Sequence, residues 1–186
     1  MSETATTPTP AASPVAAQPI TTHLRTLSAP AIGTHWVEQG GIYAGIVRSG
    51  ADGKGDYHLI VAPGAEGQFE GLAWGPYGKR TPGADSMSDG LANTQAMLAA
   101  SDEHPAAQVM PLLQLNGHAD WYLPAIGELR LIHTNTPEIC SKDGWYWSST
   151  QYSPGYAWVQ DFEYGDSVIN RKTSERRAVA VRRLVI

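Results

Sequence analysis

The apolar segments of this chain are short, and turns rich in glycine, proline or aspartate separate them from residue 32 onward. Short apolar or alternating runs bounded by such turn residues are typical of β-strands. The 19 glycines, 13 prolines and 6 tryptophans agree with many turns and short strands around an aromatic core, and they disfavour a helical bundle. The strands that we predict cover residues 40–47, 57–62, 145–150, 156–162, 167–171 and 178–186.

Two other segments have a helical composition. Residues 86–100 and the shorter segment 125–133 both carry amphipathic patterns. Residues 64–83 are rich in glycine and hold several aromatic side chains, which indicates an irregular loop pinned by aromatics. Short strands combined with two helices predict an α+β domain over residues 32–186.

The first 31 residues differ in composition from everything that follows. Five of the 13 prolines lie here, alanine, threonine and serine fill most other positions, and the only charges are Glu3 and Arg25. Such a segment cannot bury enough apolar surface to fold by itself, so we predict an extended arm. We expect this arm to dock on another protein chain, and a flexible linker is the alternative.

Charge and cysteine content argue against several classes of function. The formal net charge of −5 disfavours nucleic-acid binding, which needs an excess of lysine and arginine. The single cysteine, Cys140, allows no intrachain disulfide and no cysteine-based metal site, and we expect its thiol to be buried. The six histidines are scattered without a metal-binding spacing, and no group of residues indicates catalysis. We therefore expect a binding protein without enzymatic activity, metal ion or cofactor.

The sequence also lacks the signals that would direct it into a membrane. No apolar run reaches about 18 residues, so we expect no membrane insertion. The N-terminus has no basic start followed by an apolar stretch, so we expect no signal peptide and synthesis in a cytoplasm.

Three sequence blocks near the C-terminus carry a resemblance to a known family. They read GHADWYLP at residues 117–124, WYWSST at residues 145–150 and RAVAVR at residues 177–182. In this order and spacing, residues 117–186 resemble the C-terminal domain shared by the collagen-like adhesin of Legionella, many phage-encoded proteins and the variable proteins of diversity-generating retroelements. The resemblance implies a C-type-lectin-like fold, similar to that of the phage major tropism determinant. The third block departs from the family's shorter Arg-Ala-Val-Arg, which leaves open which arginine has the structural role.

Residues 151–166 form the candidate ligand-binding site. Three tyrosines lie in or beside turns of this stretch, where tyrosine gives a large contact area at low entropic cost. Alternation along strand 156–162 groups Trp158 with Phe162 on a face that should point inward, and places Asp161 on the exposed face. In the retroelement relatives, the matching stretch carries the ligand-contacting positions. We therefore predict ligand contacts from Gln151, Tyr152, Tyr156, Asp161, Tyr164 and Asp166.

Two groups of charged residues allow further interpretations. Asp161, Glu163 and Asp166 could bind calcium, but the calcium-chelating signature of sugar-binding C-type lectins is absent, and a solvated acidic loop is favoured. The last sixteen residues hold six basic side chains, which either form an anionic-glycan patch or pair with Glu128, Glu175 or backbone carbonyls. We favour pairing, because strand alternation separates neighbouring arginines. The six are Arg171, Lys172, Arg176, Arg177, Arg182 and Arg183.

The resemblance implies a phage virion protein, associated with a tail fibre or tail tip, that binds a host-cell protein or glycan. We expect residues 1–31 to contact other virion subunits and the chain to form a homo-oligomer. Two alternatives stay open: a structural accessory or decoration protein of a virion, and a cellular binding protein diversified by a retroelement.

Overall fold

The computed structural model describes residue 1 and residues 28–48 and 55–186. Most of the predicted arm, and residues 49–54 between the first two predicted strands, therefore lie outside the described residues. Within the described part, nine strands form two sheets and three short α-helices accompany them, which confirms the predicted α+β class. The strands are β1 (His35–Trp36), β2 (Gly41–Val47), β3 (Tyr57–Val61), β4 (Gln68–Leu72), β5 (Trp145–Gln151), β6 (Tyr156–Asp161), β7 (Ser167–Arg171), β8 (Arg176–Val179) and β9 (Val181–Val185).

The two sheets combine strands that are far apart in sequence. The first sheet has the order β1-β2-β3-β9, and all of its pairs are antiparallel. The second sheet has the order β4-β8-β5-β6-β7, in which β5 and β8 run parallel and the other pairs are antiparallel. Among the C-terminal strands, β9 therefore pairs with β3, near residue 60, and β8 pairs with β4, near residue 70.

The segment predicted as one strand at residues 178–186 is in fact part of two strands. β8 belongs to the second sheet and β9 to the first, and only Ala180 separates them. The Ala180 N–H donates to the Gly67 carbonyl at 2.9 Å, and its carbonyl accepts from the Ala62 N–H at 3.0 Å. Sequence pattern could not reveal this change of sheet, because the apolar character continues through it.

The α-helices are α1 (Gly90–Ala99), α2 (Pro105–Gln108) and α3 (Ile126–Asn135). Helix α1 begins four residues later than predicted, because the Asp89 carboxylate caps it by accepting from the Ala92 N–H at 3.0 Å. Helix α2 is a single turn that lies outside the two predicted helical segments. Helix α3 lies within two residues of its predicted bounds. The predicted irregular loop at residues 64–83 also contains β4.

Two groups of buried apolar side chains form most of the core. One contains Trp74, Trp121 and Trp147, and the other contains Tyr146 and Phe162. Trp147 is fully buried. The predicted burial of Cys140 is confirmed, and this burial raises the pKa of its thiol to about 12.

The predicted inward face of β6 was wrong for Trp158. Ala157 and Val159 point into the core, while Trp158 is half-buried on the opposite face. Val159 lies directly opposite Trp147 of β5, so this buried indole already fills the core beside β6. Phe162 is buried as predicted, but it lies beyond the end of β6, where strand alternation no longer applies.

A buried carboxyl group joins helix α3 to the first sheet. Glu128 accepts from the Ala125 N–H at 2.7 Å, and its other oxygen contacts the hydroxyls of Tyr122 at 2.6 Å and Tyr57 at 2.7 Å. The Tyr57 hydroxyl also lies 2.9 Å from the Ser88 carbonyl, to which it can donate its single proton if Glu128 is protonated. Burial, which outweighs these hydrogen bonds, raises the pKa of Glu128 to about 7.

We predict that this group makes the stability of the protein depend on pH. Between the ordinary pKa of 4.5 and about 7, the folded state retains a proton on Glu128 that the unfolded chain releases. Its contribution to the free energy of unfolding is therefore complete below pH 4.5 and is lost as the pH rises through 7. Glu128→Gln, which mimics the protonated carboxyl, should remove a dependence of about 3 kcal/mol. Urea unfolding of both proteins from pH 4.5 to 8 measures the difference, and parallel curves would contradict the prediction.

Candidate ligand-binding surface

The outer face of the β6–β7 hairpin carries a row of large side chains. Residues directly opposite each other on antiparallel strands project from the same face. Tyr156 lies opposite Arg171, and Trp158 lies opposite Ile169. Since Val159 points into the core, this row points away from the core.

Aromatic contacts extend the row beyond the hairpin. The ring of Tyr152 lies edge-on to Trp158, with centroids 5.7 Å apart, and the ring of Tyr77 lies edge-on to Tyr156 at 6.1 Å. Edge-to-face geometry is a favourable arrangement of two rings. Tyr152 and Tyr77 nevertheless remain 56% and 50% exposed, so the contacts position the rings without covering them.

Two guanidinium groups lie over this aromatic row. Arg171 lies 4.9 Å from the ring centroid of Tyr77, and Arg130 of α3 lies 5.8 Å from that of Trp158. Arg130 also donates through Nε to the Ser167 hydroxyl at 3.0 Å. Both arginines are exposed, and in the described part of the chain neither forms an ion pair with a carboxylate. We call this set the hairpin surface; it consists of Tyr77, Arg130, Tyr152, Tyr156, Trp158, Ile169 and Arg171.

Two of the six predicted ligand contacts are buried and lie away from this surface. Gln151 is 4% exposed, and its Oε1 accepts from the Thr81 N–H at 2.8 Å and from Lys172 Nζ at 2.6 Å. Asp161 is 7% exposed, and its Oδ2 accepts from the Tyr164 N–H at 2.6 Å. The expectation of an exposed Asp161 was therefore wrong, because its carboxylate closes the turn between β6 and β7. Gln151 holds the segment that contains Thr81.

The other four predicted contacts are at the surface, but at opposite ends of the hairpin. Tyr152 and Tyr156 belong to the hairpin surface, near the start of β6. Tyr164, which is 77% exposed, and the exposed Asp166 lie in the turn after β6. A strand of this length spans about 17 Å, so the two pairs form separate contact areas.

Sequence reasoning missed part of the hairpin surface. Trp158 was assigned to the core, although the opposite assignment of the β6 faces would have exposed it together with Tyr156. Tyr77 is far away in sequence, and no local pattern indicates that it reaches β6. Arg130 and Arg171 belong to different elements, and only the fold brings them to one face.

The six C-terminal basic residues do not form one patch. Arg182 is buried and makes a bidentate pair with Asp120 at 2.8 and 2.9 Å, and it also donates to Gln39. Arg183 pairs with Asp89 at 3.1 Å. The carboxylate partners of these two residues are thus Asp120 and Asp89, and not the predicted Glu128 and Glu175. The predicted pairing with backbone carbonyls is observed, because Arg182 donates to the Gln39 carbonyl, Lys172 to the Lys79 carbonyl and Arg176 to the Glu175 carbonyl.

The structure also indicates which arginine of the third block is structural. Arg177 pairs with the exposed Glu70 at the surface, whereas Arg182 is almost fully enclosed. Burial alone would raise the pKa of Asp120, but the hydrogen bonds and positive charge of Arg182 outweigh it and lower that pKa. Arg182 therefore has the structural role.

The described residues contain no group of three or more His, Cys, Asp or Glu side chains that could hold a metal ion. Among the same residues, no helix is long and apolar enough to cross a bilayer.

Replacing the two tryptophans of the β5–β6 pair should have unequal effects. Trp147→Ala removes a fully buried ring and a hydrogen bond to the Leu72 carbonyl, and should lower the free energy of unfolding by about 3–5 kcal/mol. Trp158→Ala removes a half-buried ring with one aromatic and one cation–π contact, and should cost about 1–2 kcal/mol. Chemical denaturation measures both. Equal losses would mean that the faces of β6 are assigned incorrectly.

The comparison with curated proteins gave no significant match. The family model of the Lcl C-terminal domain matches residues 68–182, which confirms the resemblance inferred from the three blocks and extends it toward the N-terminus to include β4, α1 and Tyr77. This match covers well over half of the 186 residues and supports a lectin-like fold. The chain therefore belongs to the Lcl C-terminal domain family.

Proposed function

We propose that this chain is a phage virion protein of the tail fibre or tail tip, whose lectin-like domain binds a protein or glycan on the host cell. The hairpin surface is the binding site in this proposal, and binding involves no chemical step. Tyr164 and Asp166 form a second contact area, at the other end of the hairpin.

The observation that carries the proposal is the aromatic row of the hairpin surface, in which Tyr77 and Tyr152 are exposed and Tyr156 and Trp158 are half-buried. Exposed aromatic rings are costly in water and are enriched where proteins bind partners. Tyrosine and tryptophan give a large contact area with few rotatable bonds, so little conformational entropy is lost on binding. Here Tyr152 and Trp158 hold each other in an edge-to-face contact before any ligand arrives.

The arginines beside the row support binding of a partner with polar acceptors. Arg130 and Arg171 are held over aromatic rings, and among the described residues neither is neutralised by a carboxylate. Their unused N–H groups can donate to carbonyl, hydroxyl or anionic oxygens of a ligand. Aromatic rings with adaptable donors around them are a common composition for recognising proteins and glycans.

The proposed place in a virion rests on the resemblance to phage-encoded proteins. In this proposal residues 1–31 contact other virion subunits. A homo-oligomer would present several hairpin surfaces to one cell, which raises the overall affinity through multivalency.

Two double variants test the binding site. We expect Tyr152→Ala with Tyr156→Ala to lower binding of the labelled chain to whole bacterial cells by about a hundredfold, because two aromatic anchors are lost. Tyr164→Ala with Asp166→Ala tests the second contact area at the other end of the hairpin, and should have a smaller effect. Flow cytometry over a panel of strains measures binding, and the thermal midpoint of each variant verifies folding. Normal binding by the first variant would exclude the hairpin surface, and a wild-type chain that binds no strain would favour a structural accessory role.

A deletion tests the proposed attachment to the virion. Removing residues 2–27, which lie outside the described residues, should leave the thermal midpoint of the domain unchanged. Incorporation of the shortened chain into phage particles should be lost, as measured by immunoblotting of purified particles. Incorporation at the normal level would contradict the proposed role of this segment.

A further inference from the structure

Both ends of the loop at residues 74–81 form hydrogen bonds with the same buried residue, Lys172. The Lys172 carbonyl accepts from the N–H groups of Trp74 at 2.8 Å and Gly75 at 3.2 Å. The Nζ atom of the same residue donates to the Lys79 carbonyl at 2.8 Å. Compact loops whose two ends are held together in this way are frequently functional.

Two further side chains hold the two ends of this loop together. Gln151 accepts from Lys172 Nζ and from the Thr81 N–H, so it joins the lysine to the end of the loop. His104 contacts the Trp74 carbonyl through Nδ1 at 3.0 Å and the Thr81 hydroxyl through Nε2 at 3.3 Å. The start and the end of the loop are thus bridged twice by buried polar groups.

Among the residues that the structure describes, no carboxylate forms an ion pair with the ammonium group of Lys172. Its side chain is fully buried, and Nζ lies 4.4 Å from the ring centroid of Trp74. Burial, together with the positive charge of Arg80, lowers the pKa of Lys172 to about 8. A buried charge is costly unless other groups compensate for it. The groups that do so here, the Lys79 carbonyl, the Trp74 ring and Gln151, belong to the loop or hold its end.

The tip of the loop carries Tyr77, which lies on the hairpin surface. Its ring contacts Tyr156 and lies beneath the Arg171 guanidinium, as described above. The fit against the hairpin is close, because a Cβ atom at Gly155 would lie 2.7 Å from the Tyr77 ring. The two ends of the loop are buried, whereas half of the Tyr77 side chain is exposed and can contact a partner.

We propose that the loop at residues 74–81 forms a second part of the ligand-binding surface, which we call the second wall. Tyr77 in this loop contacts the ligand. Lys172 is the positioning residue that holds the loop in place. This inference rests on the proposed function. It gives Tyr77, which is already part of the hairpin surface, a direct contact with the ligand, and it explains how Tyr77 is preorganised. Preorganisation matters because a mobile loop loses entropy when it binds.

The first experiment examines the free protein and needs no ligand. Lys172→Met keeps the length of the side chain but removes the donor, and should raise amide hydrogen exchange of residues 74–81 by about tenfold or more. Exchange in α3 and β5 should stay unchanged. Lys142→Met, which removes an exposed lysine, is the matched control and should leave loop exchange as in the wild type. Unchanged exchange of the loop in Lys172→Met would overturn the positioning role.

The second experiment measures binding to the same panel of whole bacterial cells. Tyr77→Ala and Lys172→Met should each weaken binding by about tenfold. Lys142→Met, the exposed-lysine control, should bind like the wild type. Ile132→Ala, a core variant remote from the loop, lowers stability without changing the wall and should retain the wild-type affinity at a temperature where it is folded.

The outcomes separate this inference from the proposed function. If Tyr152→Ala with Tyr156→Ala abolishes binding but Tyr77→Ala does not weaken it, the proposed function stands, while the contact role of Tyr77 and the second wall are wrong. If Ile132→Ala weakens binding as much as Lys172→Met does, the lysine acts only through stability and the positioning role is wrong. If the wild-type chain binds no cell in the panel, the proposed function and the contact role of Tyr77 both fail, while hydrogen exchange still decides whether Lys172 holds the loop.

Discussion

The change of sheet at Ala180 is the constraint on which the rest of the domain depends. The residue is fully buried, and its two backbone hydrogen bonds go to Gly67 and Ala62. A Cβ atom at Gly67 would lie 2.2 Å from that of Ala62, so the close approach needs glycine at this position. Because β8 and β9 are continuous through this point, the two sheets cannot move apart without breaking pairs in both. The same continuity places Arg182 beside Asp120 and locks the segment before α3 onto the C-terminal strand.

The position of the hairpin surface follows from this arrangement. Strand β5 pairs with β8 on one side and with β6 on the other, so the β6–β7 hairpin extends the second sheet away from the change of sheet. Trp147 fills the core beside β6, and the apolar side chains that this strand adds to the same group are the small Ala157 and Val159. The larger side chains of β6 are left on the outer face, where Tyr77 and two arginines meet them. Packing on the inner face of the second sheet thus determines which side chains its outer face exposes.

Buried polar groups give this irregular domain its rigidity without a disulfide. Glu128 links α3 to the first sheet through two tyrosines, and Lys172 with Gln151 and His104 closes the loop at residues 74–81. Each of these groups has hydrogen-bond partners, which is what makes burial of polar atoms tolerable. They also specify one geometry, since an apolar core alone would allow a loop to shift. The exposed rings of the hairpin surface therefore sit on a rigid support.

The sequence by itself determined the α+β class, the position of most strands and helices, and the family, because turn residues, apolar periodicity and the three blocks are local features. It placed β7 at residues 167–171, as observed, and it located Tyr152 and Tyr156 at the surface. Only the tertiary structure decided which face of β6 is buried, since alternation relates neighbouring residues but does not say which set meets the core. It also decided that Gln151 and Asp161 hold loops, that Arg182 is the structural arginine, and that Tyr77 joins a hairpin about eighty residues away. These outcomes depend on contacts between distant segments, which no local pattern encodes.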